Sequence, residues 1–358
     1  MADAEIIRLD SRTRGASDRS PQRCRATTKS GRPCRNYALE GADYCRMHQR
    51  PSRPKGSPAT SKGPTPARDG DPLEVSSATS TDASPVAPAS AFLRRRLGGD
   101  YPIDDFGYDE ELSRAVLLPL IRPLYERYFR VRTLGVNRIP NEGPALLVGN
   151  HSGSIPIDAV MVQYAVATEH PAKRVVRSIG ADLVWASPFV SHLARKTGSA
   201  VACDEDAFAL LERDQLVSVF PEGFKGTGKG WSERYRLQRF GRGGFIEVAL
   251  RAKVPIIPVA IVGAEEAFPM IANAKLLASL LRLPYLPITP TFPLLGPLGL
   301  LPLPSRWVIE FGEPIPMDGY PDDAADDKMF VFDLTDSIRD RIQQMVYKAL
   351  RYRGSAFL

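Results

Sequence analysis

Two hydrophobic periodicities alternate along most of this chain. Short, β-favouring apolar runs such as Ala145–Val148, Val217–Phe220 and Pro255–Val262 are separated by segments with apolar residues at helical spacing. Strands that are apolar on both faces and alternate with helices are typical of parallel sheets buried on both sides. The sequence therefore predicts an α/β fold, with a mostly parallel central sheet covered by helices on both faces.

One strand-to-helix stretch contains residue types that are suited to catalysis. The apolar run from Leu146 stops at Asn150-His151, passes Ser154 and Pro156, and resumes as a helical pattern that contains Asp158. Ligands of open α/β sheets bind where such strands end. Imidazole titrates near neutral pH, and a carboxylate within reach fixes its tautomer, so the pair suits general-base catalysis on a substrate hydroxyl.

A second block follows another apolar strand. Phe220-Pro-Glu-Gly223 is succeeded by a glycine-rich loop with Lys225 and Lys229. The loop partly matches the Gly-x4-Gly-Lys pattern of nucleotide-binding loops, but Gly230 stands where the magnesium-binding Ser or Thr belongs. Lysines in this loop suit phosphate groups.

Taken in order, the Asn150-His151/Asp158 block, the Phe220–Gly223 block and Val254-Pro-Ile-Ile-Pro-Val259 resemble the glycerolipid (lysophospholipid/1-acylglycerol-3-phosphate) acyltransferase family. The closer similarity is to its branch related to monoacylglycerol and diacylglycerol acyltransferases. The resemblance implies transfer of a fatty acyl chain from acyl-CoA, or an acyl carrier protein, to a glycerolipid hydroxyl. It implies His151 and Asp158 as catalytic residues and no catalytic cofactor. We assign substrate binding to Asn150, Glu222, Gly223, Lys225 and Lys229.

Two features depart from the family pattern. Six residues separate His151 from Asp158, where the family has four, so either a wider turn returns Asp158 to the imidazole or the ring is oriented differently. The stretch Gly198–Asp204 lacks the arginine that the family uses for the acceptor phosphate. This absence favours a neutral glycerolipid or another alcohol as acceptor. Lys225 and Lys229 either replace the missing cation or hold the phosphates of coenzyme A.

The N-terminal part predicts a small metal module. Cys24, Cys34, Cys45 and His48 supply four zinc ligands and resemble a Cys-Cys-Cys-His knuckle whose fold depends on the metal. We expect disorder over residues 1–22, the knuckle over 23–49, a disordered Pro/Ser/Ala-rich linker over 50–92, and the acyltransferase domain over 93–358.

The basic charge is confined to this arm. Residues 1–70 carry 15 Lys and Arg against 7 Asp and Glu, which leaves 32 against 34 for the remainder. Such an arm suits an anionic membrane surface or, as an alternative, nucleic acid. With no secretory signal or spanning helix recognised, we expect a cytoplasmic protein held peripherally on a membrane. A catalytically lapsed lipid-binding adaptor with a partner-binding zinc arm is the alternative function.

The sequence does not decide whether two apolar segments contact the protein core, a ligand or a membrane. A helical stripe interrupted by Pro119 and Pro123 predicts a kinked helix that packs on the core or contacts a membrane. Its members are Leu112, Val116, Leu120, Leu124 and Tyr128, and the stripe is widened by Leu117, Ile121 and Tyr125. Residues 276–304 are apolar but too rich in proline for a regular spanning helix. They suit a wall for a hydrophobic ligand or a face resting in a bilayer.

Overall fold

The computed structural model describes residues 86–99, 101–180, 188–201, 203–280 and 283–357. The predicted zinc ligands, Cys24, Cys34, Cys45 and His48, lie outside these residues, as does the basic arm. A helix, α1, spans Val86–Gly98 and thus begins inside the predicted linker.

A mixed sheet of seven strands forms the centre of the described chain. The strands are β1 (Arg132–Leu134), β2 (Ala145–Gly149), β3 (Val176–Gly180), β4 (Ala200–Val201), β5 (Leu216–Val219), β6 (Ile256–Val262) and β9 (Val308–Phe311), and the separate pair β7 (Ala272–Asn273) and β8 (Pro287–Ile288) is antiparallel. The order is β1-β9-β6-β2-β5-β3-β4, and all neighbours are parallel except β6 and β9. The predicted fold class is confirmed.

Helices cover both faces of this sheet. They are α2, a continuous helical run from residue 110 to 128, then α3 (Ile157–Glu169), α4 (Pro188–Lys196), α5 (Asp204–Leu211), α6 (Phe224–Thr227), α7 (Gly244–Ala252), α8 (Ala264–Ala267), α9 (Lys275–Leu280) and α10 (Lys328–Arg353). Short 3-10 turns lie at Val136–Arg138, Trp231–Glu233, Gly296–Leu300 and Ala324–Asp326.

The pleat of β2 divides the core in two. Leu146 and Val148 pack on one face with α5, α7 and α10, whereas Ala145 and Leu147 pack on the other with α2 and α3. All four side chains are fully buried or nearly so. Truncating a fully buried leucine to alanine typically costs about 2–5 kcal/mol, so this strand is rigidly held.

The prolines of α2 change its helical pitch rather than ending it. Ser113–Leu117 and Leu124–Tyr128 are π-helical turns beside the α-helical segments Glu110–Leu112 and Leu118–Pro123. Proline lacks the N–H needed for the regular ladder, and the wider turns rotate the later residues. Tyr125 is consequently buried, and the predicted stripe residues Val116, Leu120 and Tyr128 are exposed.

The helix after the His151 loop begins without a capping side chain, although Ser154 is of a residue type that favours this role. Helix α3 begins at Ile157, with Pro156 at the cap position and no capping side chain. The Ser154 hydroxyl instead lies 3.4 Å from the carbonyl oxygen of Phe268. In the part of the chain that the structure describes, no helix is both long enough and apolar enough to cross a bilayer.

Candidate active site

Three loops meet at the carboxyl ends of neighbouring parallel strands. His151 follows β2, Glu222 follows β5 and Glu265 follows β6, and β2 lies between the other two strands. Since parallel strands end at the same edge of a sheet, residues 71 and 114 positions beyond His151 reach its surroundings. The site is built on the most buried strands of the fold.

His151 and Asp158 form a hydrogen-bonded pair. The His151 Nδ1 atom lies 2.8 Å from Asp158 Oδ2, and the Asp158 side chain is fully buried in the first turn of α3. The same carboxylate accepts hydrogen bonds from the backbone N–H groups of Ser152, at 2.9 Å, and Ala159, at 2.9 Å. These donors hold the carboxylate as an acceptor for an Nδ1–H proton, which leaves Nε2 as the basic nitrogen of the ring.

A tight turn spans the six residues between them. Gly153 has φ +81°, and a Cβ atom at this position would lie 2.7 Å from the carbonyl oxygen of Ala264. A side chain is thus excluded by both the backbone conformation and the close packing. Of the two alternatives for the unusual spacing, the wider turn that returns Asp158 to the imidazole is the observed one.

The imidazole is fixed from a second side by an aromatic ring. His151 stacks on Phe220 with ring centroids 4.9 Å apart and an interplanar angle of 29°. Phe220 belongs to the same block as Glu222. This block therefore supports both the imidazole ring and the backbone of His151. The His151 side chain keeps 14% exposure.

The side chain of Asn150 forms its hydrogen bonds within the protein. Its amide donates to the carbonyl oxygen of Ile261 at 2.9 Å and accepts from the Ile261 N–H at 2.7 Å, and the residue is 3% exposed. The side chain extends the β2–β6 hydrogen bonding past the end of β2. The predicted substrate contact of Asn150 is therefore corrected, because both functions of its amide are occupied inside the protein.

Glu222 holds the backbone of His151. Its Oε1 accepts the His151 N–H at 2.9 Å, and its Oε2 accepts the Gln238 N–H at 2.6 Å. The side chain is fully buried. We correct the predicted contact with acceptor hydroxyls, since both oxygens of Glu222 are engaged away from solvent and position the catalytic loop.

Lys229 neutralises this buried carboxylate. Its Nζ atom lies 2.9 Å from Glu265 Oε1 and 3.7 Å from Glu222 Oε2, and it donates to the carbonyl oxygen of Arg236 at 3.1 Å. Burial raises the pKa of Glu222 and of Glu265, with Lys229 opposing the rise. Burial acts to lower the pKa of Lys229, but attraction by the two carboxylates raises it overall. The predicted phosphate contact of Lys229 is corrected, because its ammonium is committed to this cluster.

The glycine-rich loop packs beneath the histidine. Lys225 is exposed on α6, while Gly223 lines the cavity described below and adopts φ +52°. A Cβ atom on Gly226 would lie 2.6 Å from the His151 carbonyl oxygen and 2.8 Å from the Glu222 Cβ atom. Glycine at 226 thus permits the close contact between the two blocks.

A large apolar cavity of about 1010 Å³ opens beside His151. Its wall combines α2, the ends of β3 and β5, and the leucine- and proline-rich segment, through Leu117, Leu120, Ile121, Val160, Ile179, Val219, Leu283, Leu286 and Leu300. Apolar clefts of this size bury chain-like or drug-sized ligands. The cavity therefore offers an apolar path that reaches the imidazole.

Comparison with known proteins places this site in a family. A family model described as acyltransferase matches residues 130–262. An uncharacterized protein of Mycobacterium tuberculosis (strain ATCC 25618 / H37Rv) is 50% identical over 285 residues, which cover 78% of this chain and 80% of that protein. Residues 130–262 therefore form an acyltransferase-family domain.

Two further similarities extend outside mycobacteria. The "DGAT1/2-independent enzyme synthesizing storage lipids" of Bos taurus is 28% identical over 222 residues, covering 62% of this chain and 60% of that enzyme. The crystal structure of the 1-acyl-sn-glycerophosphate (LPA) acyltransferase PlsC from Thermotoga maritima aligns with a TM-score of 0.45 and 18% identity. That alignment covers 75% of this chain and 90% of the other.

Sequence reasoning missed two polar residues of the acyltransferase cavity. Arg242 is exposed and lines the cavity, and the described residues provide no ion-pair partner for it. Tyr285 donates its hydroxyl to the Ser154 carbonyl oxygen at 2.8 Å, and burial raises its pKa. Arg242 belongs to an arginine-rich stretch that also holds Arg234, Arg236 and Arg239, a signal that was present in the sequence.

Proposed function

We propose that this acyltransferase moves a fatty acyl chain from an acyl thioester to a hydroxyl of a glycerolipid, with His151 as the general base. The observation that carries the proposal is the His151–Asp158 hydrogen bond of 2.8 Å at the edge of the apolar cavity. Asp158 occupies Nδ1, so Nε2 is the nitrogen that can accept a proton from a bound alcohol.

The reaction needs no nucleophile from the protein. As Nε2 takes the hydroxyl proton, the alcohol oxygen attacks the thioester carbonyl carbon and forms a tetrahedral intermediate. The carbonyl re-forms as the carbon–sulfur bond breaks, and the imidazolium returns the proton to the departing thiolate. Asp158 stabilises the imidazolium between these steps, and Glu222 keeps the backbone of His151 in place.

Charge in the cavity favours a neutral acceptor. Among the described lining residues, Arg242 is the basic side chain besides His151, and Asp204 is the acidic one. A phosphorylated acceptor held beside His151 would need buried cations, yet Lys229 is bound to two glutamates. The name of the Bos taurus relative, which refers to storage lipids, agrees with a neutral acceptor.

We place the acyl-CoA donor at the mouth of the cavity. Arg242 is exposed there, and a guanidinium pairs well with phosphate oxygens. We assign the phosphates of coenzyme A to Arg242 and to Lys225, which is exposed on α6. This replaces Lys229 in the predicted donor contact.

The test is an acceptor panel with the purified full chain. Acyl-CoA is offered with monoacylglycerol, diacylglycerol or lysophosphatidate in detergent micelles, and free thiol and acylated lipid are both measured. We expect turnover with a neutral acceptor to exceed turnover with lysophosphatidate. Lipid binding without thiol release on any acceptor would instead support the adaptor alternative.

A further inference from the structure

Eight leucines among the described residues of one segment, Ile271–Leu301, are exposed. The exposed fractions are Leu276 90%, Leu277 53%, Leu280 78%, Leu294 84%, Leu295 58%, Leu298 69%, Leu300 42% and Leu301 61%. Isolated exposed leucines are ordinary, but a concentration of this kind marks an interaction surface. We call this stretch the leucine segment.

The leucines are exposed because the backbone of the leucine segment is closed upon itself. The β7–β8 pair joins the start of the segment to its middle, and helix α9 is tied by the hydrogen bond from the Leu283 N–H to the Ala278 carbonyl oxygen at 2.8 Å. Leu276 and Leu280 are four residues apart and share a face of α9, opposite the buried Ala278. The segment thus holds apolar side chains outward on a satisfied backbone.

Its charge has one sign. From Ala267 to Ile309 the sequence has no Asp or Glu, and its charged residues are Lys275, Arg282 and Arg306. Basic residues beside exposed leucines match the interfacial layer of a membrane, where acyl chains receive the apolar groups and anionic headgroups receive the cations. A second protein surface would need a complementary shape, which a fluid bilayer does not.

The same segment leads to the cavity. Leu283, Tyr285 and Leu286 line the cavity from within, and Leu300 lines it while being 42% exposed. Leu120 and Leu193 also line the cavity and are 70% and 52% exposed. Apolar surface therefore runs from the exposed segment into the cavity wall that reaches His151.

We propose that the leucine segment is a membrane-docking element that inserts Leu276, Leu280, Leu294 and Leu298 into the interfacial layer of a lipid bilayer. Docking there brings the mouth of the cavity to the level of the acyl chains, so that a lipid enters without crossing water. The proposal extends the proposed function by naming the surface that meets the membrane. Vesicle binding is measured independently of acyl transfer, so the two can fail separately.

The test is vesicle co-sedimentation of the full chain with Leu294→Ser/Leu298→Ser. Phosphatidylcholine vesicles in 0.5 M NaCl remove the electrostatic attraction of the basic arm, since the Debye length is then only about 4 Å. We expect the double variant to bind these vesicles about 10- to 100-fold more weakly than the unaltered chain. Met329→Ser is the matched control, because Met329 is also 69% exposed but follows the acidic pair Asp326-Asp327.

Further measurements separate the outcomes. Vesicles should slow hydrogen exchange of peptides from the leucine segment in the unaltered chain, and Leu276→Ser/Leu280→Ser should repeat the loss of binding. Activity on detergent-dispersed substrates should stay within about twofold in both variants, because these leucines do not line the cavity. Unchanged vesicle binding in both variants, or a dimer of the chain that both variants dissociate, would overturn the proposal.

Discussion

Replacing Glu222 by glutamine separates two roles that this residue can have in a transferase. In the structure its two oxygens accept the N–H groups of His151, at 2.9 Å, and Gln238, at 2.6 Å, and Lys229 lies 3.7 Å away. Glutamine keeps one acceptor oxygen and presents an NH2 group to the other N–H. The change therefore removes one charge-assisted hydrogen bond from the catalytic loop while preserving the shape of the side chain.

The size of the effect follows from this geometry. A hydrogen bond to a charged group contributes about 1.5–3 kcal/mol, and a buried N–H left without an acceptor is penalised further. The raised pKa of Glu222, caused by burial, shows that the carboxylate is itself held at some cost, which the amide avoids. We expect a net loss of about 1–3 kcal/mol in the free energy of unfolding. A shift of His151 by about 1 Å would lower kcat by about a hundredfold.

The assays are urea unfolding and steady-state kinetics with the acceptor concentration varied. A positioning role for Glu222 lowers kcat and stability and leaves the KM for the acceptor unchanged. Direct contact with acceptor hydroxyls would raise that KM with little change in stability, and this result would contradict a positioning role for Glu222. Glu233→Gln is the control, since Glu233 is a nearby exposed glutamate.

Three other expectations follow from the same contacts. Asp158→Asn should lower kcat by about 10³–10⁴-fold with the fold retained, as the amide favours the wrong imidazole tautomer; unchanged kcat would contradict the pair. Gly226→Ala places a Cβ atom 2.6 Å from the His151 carbonyl oxygen and should reduce both activity and stability, by about 1–3 kcal/mol in urea unfolding. Burial opposes the charge of Asp109, but Arg96 lowers its pKa below the ordinary value. The stability gained from this pair is present at neutral pH and lost as pH falls below about 4, so acid unfolding of Asp109→Asn should be less steep than that of the unaltered chain.

Most of the sheet and the centre of the site could be predicted from the sequence. The strand at Ala145–Gly149 and the helix that holds Asp158 were both readable, because apolar runs and helical spacing are local signals. The family resemblance then identified the His151 block. The position of the Asp158 carboxylate relative to His151 could not be predicted, because it depends on the conformation of the turn at Gly153.

Contacts between loops that lie far apart in the sequence could not be predicted from it. Glu222, Lys229 and Glu265 meet because β5, β2 and β6 are neighbours, and no local pattern encodes that a lysine of a glycine-rich loop is buried between two glutamates. The loop looked like a phosphate site for the same reason that it forms this cluster: it combines glycines with a cation.

The helix before β1 shows how a local irregularity misleads a periodic pattern. A spacing of four residues predicted that Leu120 shares the stripe with its neighbours, yet it is 70% exposed. The π-helical turns beside Pro119 and Pro123 rotate the chain, so that Tyr125, at the widened edge of the predicted stripe, faces the core while Leu120 does not. Residues such as Leu120 become part of the cavity wall, a role that no helical wheel assigns.

The central claim is that His151 takes the proton from the acceptor hydroxyl. The direct measurement compares thiol release from acyl-CoA by His151→Ala and His192→Ala, with a neutral glycerolipid acceptor. His192 is exposed on α4 and is the matched histidine control. We expect a loss of about 10²–10⁴-fold for His151→Ala and near-normal turnover for His192→Ala. Full turnover by a folded His151→Ala chain would contradict it.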